Sequence, residues 1–140
     1  MSNIEVRRSI NELEKAILEC LPPVDMETKH YYAEGTYTRE LHIPKGTVLT
    51  GKIHRHSCIN ILLKGKIKVI TEEDEYELEA PHVFVSGAGI KKAGFALEDT
   101  VWINVHPWNG EDELDEIENK VIVPSFEELE MEKRECLGQQ

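Results

Sequence analysis

Apolar residues recur at helical steps near the two ends of the chain and alternate in short runs between them. Val6, Ile10, Leu13, Ile17 and Leu21 stand three or four apart, which stacks them on one face of a helix predicted over residues 5–21. Ser9 and Glu12 have the spacing of a capping box inside that segment, and Pro22 and Pro23, which have no amide to donate, end it. Strands are predicted at 31–41, 48–53, 58–63, 67–71, 76–78, 82–85 and 101–105. Turn residues separate them: Pro44 to Gly46, Gly51, Lys64 and Gly65, the acidic run Glu72 to Asp74, and Gly87 to Gly89. Short strands at this spacing predict an all-β sandwich or barrel rather than alternating strand–helix units. An acidic loop at 111–118 follows, then a short strand at 121–123. A second helix is predicted after Pro124, with Ser125 as N-cap and Glu128 three residues on.

A chain of 140 residues is long enough for one core and too short for two. The expected organisation is a single domain over 1–140: an N-terminal helix at 5–21, a β-barrel at 31–106, and a tail at 107–140. The net charge of −11 sets the chain against phosphate surfaces, so neither nucleic acid nor an anionic membrane is an expected partner. No apolar run reaches the roughly eighteen residues of a membrane span, and the N-terminal stretch lacks the apolar core of a secretory signal. Cys20, Cys58 and Cys136 lie far apart in no CxxC pair, which suits free thiols in a reducing cytoplasm.

The candidate chemistry lies between Gly51 and Gly65. On a continuous strand His54, His56, Cys58 and Asn60 point to one face, and Ile53, Ile59, Ile61 and Leu63 to the other. Two imidazoles projecting into one cavity can clasp a divalent ion. The stretch resembles the first motif of the cupin family, a glycine, His-x-His, an acidic ligand four residues on, and a glycine closing a tight turn. His54, His56 and Gly65 carry the match, together with the apolar run before Gly65 and the strand after it. The resemblance spans roughly 31–106 and implies a double-sheet jelly-roll barrel with both histidines inward. The overall look is also similar to small stand-alone cupin-like proteins of tailed bacteriophages.

The departures from the motif are specific. Asn60 stands four residues after His56, and counting back from Gly65 puts Cys58 in the acidic slot. In the second motif, Pro-x-Gly-x-x-His, the alignment of Gly87 to Lys92 places Lys92 where the third histidine belongs. The resemblance therefore implies only His54 and His56 as metal ligands; His106 and His42 are the better candidates to complete a site, Cys58 is a candidate thiolate ligand, and His82 is weaker. The ion would be a divalent transition metal, Zn, Fe, Mn or Ni, and a metal-free pocket is the equal alternative.

Residues 41–71 contain no Asp or Glu but carry Lys45, Lys52, Arg55, Lys64, Lys66 and Lys68. Two readings stand: a basic mouth for an anionic ligand, or sheet lysines paired across a hairpin with Glu77 and Glu79. The leading functional reading is a small-molecule binding protein whose polar or anionic ligand meets His54, His56, Cys58, Asn60, Lys92 and His106. The alternatives are a metal-dependent enzyme of isomerase or oxygenase type and a non-catalytic assembly protein. The apolar second face of the central strand predicts a homo-oligomer, a dimer first.

Overall fold

A computed structural model describes residues 3–20 and 24–138. The chain opens with helix α1 (Asn3–Cys20); Leu21, Pro22 and Pro23, its expected end, lie outside the described residues. The buried side of α1 is rotated from the apolar stripe. Ile10 is buried and Val6 and Ile17 are half-buried, but Leu13 stands at the exposed rim. Two polar anchors explain this. Arg7 bonds Glu72 at 2.6 Å, and Glu14 accepts from Thr50 and from Lys91 at 2.9 Å, so the helix docks through the side that Arg7, Ile10 and Glu14 share.

Ten strands follow before the second helix: β1 (Thr28–Ala33), β2 (Thr36–Ile43), β3 (Val48–Thr50), β4 (Ile53–His54), β5 (Cys58–Lys64), β6 (Lys66–Ile70), β7 (Glu75–Glu79), β8 (His82–Ser86), β9 (Ala93–Ala96) and β10 (Thr100–Pro107). Then come α2 (Leu114–Val121), β11 (Ile122–Val123) and α3 (Phe126–Gly138). One sheet runs β1-β2-β10-β5-β8, a second β3-β9-β6-β7, and β4 pairs with β11 alone. Ile43, Leu62, Ile67, Val69, Leu78 and Ala96 form the core between the two larger sheets. This is a double-sheet jelly roll, but the sheets are not hydrogen-bonded into a closed barrel. The segment after β3 supplies only the two-residue β4, and that pairs with β11 instead of bridging the larger sheets.

Several expected elements are corrected. The single strand at 31–41 is a hairpin of β1 and β2, because Gly35 takes a positive φ of 80° and reverses the chain. Strand β9 has no counterpart among the expected strands; its small residues Ala93, Gly94 and Ala96 pair there, and Gly94 lets Ile67 and Leu49 approach closely. The acidic loop at 111–118 contains the start of α2. Leu114, Ile117 and Val121 have helical spacing, with Asp115 and Glu116 favourable at its positive end and Lys120 at its negative end. Ser125 does cap α3, its hydroxyl accepting from the Glu128 amide at 3.1 Å. Helix α3 then seals Ile53 and Val123 with Leu129 and Phe126.

The expected hairpin pairing of lysines and acids is present. Lys66 faces Glu79 and Lys68 faces Glu77 in register, and the ammonium groups lean diagonally to Glu77 at 3.7 Å and Glu75 at 2.9 Å. These two lysines belong to the sheet surface.

Candidate functional site

Alternation along three neighbouring strands builds the interior wall. Strand β2 turns Tyr37, Arg39, Leu41 and Ile43 inward, β10 turns Trp102, Asn104 and His106, and β5 turns Cys58, Asn60 and Leu62. Register sets these in rows: Leu41, Trp102 and Leu62 form an apolar row, and Arg39, Asn104 and Asn60 a polar row beside it. A cavity of about 230 Å³ lies against both rows. Leu41, Ile43, Ile67 and Val69 line its apolar part, and Arg39, His54, Lys92 and Asn104 its polar part, with exposed Lys52 and Glu118 at the rim.

Asn60 organises the polar row without having a bond to spare. It is fully buried, and its amide nitrogen donates to the Cys58 carbonyl at 3.1 Å and to Ser86 Oγ at 2.9 Å. Its Oδ1 accepts from Trp102 Nε1 at 3.1 Å and from Asn104 Nδ2 at 2.6 Å. An indole N–H can only donate, so the atom facing it must be the amide oxygen. Both donors and both lone pairs are used. Asn60 therefore holds Trp102 and Asn104 in place rather than meeting a ligand.

Lys92 enters the cavity through a local backbone device. The Gly51 amide donates to the Lys92 carbonyl at 2.8 Å, and β9 begins at the next residue, opposite Thr50. Consecutive side chains then diverge: Lys91 reaches Glu14 beneath α1, and Lys92 reaches the cavity. Among the described residues the Lys92 and Arg39 side chains make no hydrogen bond and no ion pair. Burial lowers the pKa of the Lys92 ammonium, a shift that Cys58 opposes.

His54 comes from β4 and meets His106 edge-on, with ring centroids 5.3 Å apart. Its pKa is pushed down to about 4, first by burial and then by the charges of His106, Lys92 and Arg39. His106, stacked on Tyr37, is lowered by burial and by Arg39. Both rings are therefore neutral at pH 7. The folded value of His54 lies below the unfolded one of about 6.5, so its contribution to stability is complete above that pH and is lost as pH falls towards 4. By pH 5 the loss amounts to about 2 kcal/mol. Denaturant titrations of wild type and His54→Gln between pH 7 and 5 should show this difference in slope, and parallel profiles would contradict it.

The other sequence candidates are dispersed. Strand β4 ends at His54 and the chain bends through 55–57, so strand alternation does not carry through to His56. The bend is held by Arg55, which bonds Glu132 at 2.9 and 3.2 Å and the carbonyls of Asn119 and Lys120. His56 is exposed and lines a second cleft with His106, Trp108 and Lys120. Cys58 is buried, its Sγ near the Val105 carbonyl and 3.9 Å from His106 Nδ1, and burial pushes its thiol pKa up. His42 bonds Glu40 at 2.7 Å on the outer face of β2, and exposed His82 stacks on Phe84.

A metal on His54, His56 and His106 does not fit this arrangement. Among the described residues no three His, Cys, Asp or Glu side chains gather to hold an ion. His56 and His106 line a cleft that His54 does not, Cys58 favours the neutral thiol, and the Lys92 ammonium stands beside His54, where it opposes a cation. Sequence reasoning missed Arg39, Trp102 and Asn104. Their signal was there: Arg39 interrupts the inward series Tyr37, Leu41, Ile43, and Asn104 sits in phase with Trp102 and His106.

No protein-family model matches the chain, and no curated protein sequence matches it. Solved structures do. KdgF from Halomonas sp. shares 20% identity at a TM-score of 0.51, with 61% of this chain and 84% of that one covered. A cupin superfamily protein from Desulfitobacterium hafniense shares 9% identity at a TM-score of 0.52, over 67% of this chain and 87% of that one. An RmlC-like cupin from Methanocaldococcus jannaschii shares 10% identity at a TM-score of 0.50, over 62% and 84%. At such identities the likeness is one of fold. No described helix is long and apolar enough to cross a membrane. The chain has the cupin fold.

Proposed function

We propose that the cavity binds a small organic anion, with Lys92 and Arg39 as its counter-charges. The observation that carries this reading is the pair itself: two cations with no ionic partner among the described residues line one largely apolar cavity. An unpaired charge taken out of water is costly, and an anion entering between them would relieve both. Neutral His54 and Asn104 add uncharged hydrogen-bonding groups, and the row of Leu41 and Trp102 accepts a short hydrocarbon part. The volume of about 230 Å³ lies below the range of roughly 300–1,000 Å³ that suits drug-sized ligands, so the ligand is small. Two charge-assisted hydrogen bonds at about 1.5–3 kcal/mol each, with a few buried methylenes, support affinities in roughly the micromolar to millimolar range. A thermal-shift screen of short carboxylates, phosphate and the corresponding neutral amides tests this. Carboxylates should raise the melting temperature and their amides should not; equal shifts from amides would refute the reading.

We further propose that two copies pair through the outer face of the five-stranded sheet. Val83 and Val85 on β8 are 64% and 68% exposed, and Ile59 and Leu63 on β5 are 46% and 56% exposed. Ile61, Ile103 and Val105 are half-buried beside them, so three adjacent strands present a continuous aliphatic surface. None of these positions is charged, although the chain carries −11 overall. A second copy meets this face with the same uncharged surface, which is where two acidic chains repel least. Sedimentation should give twice the chain mass of 16.0 kDa, and Val85→Glu should shift it to the single-chain mass. A wild-type monomer at high micromolar concentration would overturn the dimer.

A further inference from the structure

The two cavity cations differ in chemistry. A guanidinium never gives up its proton and presents a planar fork that matches a carboxylate. An amine that loses its proton becomes a nucleophile towards a carbonyl carbon. Neighbouring Lys91 is tied to Glu14 at 2.9 Å and is structural, whereas Lys92 has no carboxylate within ion-pair distance among the described residues to keep it protonated. Burial acts in the same direction on Lys92. His54 lines the same cavity as a neutral imidazole, and its ring nitrogens form no hydrogen bond among the described residues.

Resting on the anion-site reading above, we propose that Lys92 captures a short 2-oxo acid as an imine, with Arg39 holding the carboxylate and His54 carrying the proton. In this step unprotonated Nζ attacks the carbonyl carbon of the bound acid, and the carbonyl oxygen takes the first of the two protons that the nitrogen gives up. The resulting carbinolamine loses water as the C=N bond forms, and His54 takes a proton from the nitrogen and returns one to the departing hydroxyl. Amine and ketone give imine and water, with no change of oxidation state and no further co-reactant. The apolar row of Leu41 and Trp102 receives the alkyl end of the acid.

The probes are pyruvate and lactate, which share a carboxylate and differ in whether the neighbouring carbon is electrophilic. Protein is incubated with each in the presence of sodium borohydride, then weighed intact and mapped by peptide, while calorimetry without reductant measures binding. The expected result is one reduced pyruvate adduct per chain, on Lys92, none with lactate, and none at that position in Lys92→Arg or Lys92→Gln. Binding of both acids with no adduct on Lys92, or with adducts spread over surface lysines, would overturn the imine and leave the anion site standing. Binding of neither acid would overturn both. The peptide map of wild type decides the matter even where a variant fails to fold.

Discussion

Asn60→Leu should cost about 3–5 kcal/mol of stability, a large part of what a domain of this size possesses. The side chain is fully buried and serves four partners, so its loss orphans the Trp102 indole N–H and leaves the Asn104 amide and Ser86 Oγ with only their long contacts to Cys58, at 3.6 and 3.5 Å. An apolar replacement of similar size fills the space but supplies none of these bonds. Ser86→Ala removes a single partner and should cost about 1 kcal/mol. Urea unfolding of the two variants gives the comparison directly. Equal, small effects would mean that the polar row is not a connected network.

Lys92→Met and Arg39→Met should each weaken binding of the best carboxylate from the screen by about ten- to a hundredfold, the equivalent of one charge-assisted hydrogen bond. The double variant should show no measurable binding. The same substitutions should leave the ligand-free protein as stable or more stable, because each removes a cation from an apolar cavity in which it has no partner among the described residues. Opposite signs on affinity and melting temperature separate a ligand site from a structural role. A variant that loses binding only by losing stability would count against the assignment.

The fold was readable because alternation and turn residues are local signals. The strands of the cupin-like first motif were expected near their observed places, and Gly65, the closing glycine, turns the chain at a φ of 89°. A Cβ there would stand 2.3 Å from the Asp99 carbonyl oxygen, so only glycine fits. Ser125 and Glu128 likewise announced α3. Failures arose where a tertiary contact outweighs the local pattern. Leu13 is displaced because ion pairs set the roll of α1, and β9 forms from small residues because Gly94 packs under Ile67 and Leu49.

The site was half legible for the same reason. Carrying alternation from His54 to Asn60 assumed one unbroken strand, and the Arg55 clamp to Glu132 and two carbonyls is a long-range contact that no local pattern shows. Cys58 and Asn60 do face inward, but the partners that saturate Asn60 lie on β8 and β10. Lys92 was found through the position of a missing histidine. Arg39 was overlooked because one basic residue in a strand draws attention only once its neighbours in phase are known to be buried.

The most direct test is a crystal structure of the protein soaked with the carboxylate that stabilises it best. The predicted result is a carboxylate inside the cavity, its oxygens within hydrogen-bond distance of both the Arg39 guanidinium and Lys92 Nζ. A carboxylate bound instead in the cleft beside His56 and Trp108, or a metal ion held by His54 and His56, would contradict it.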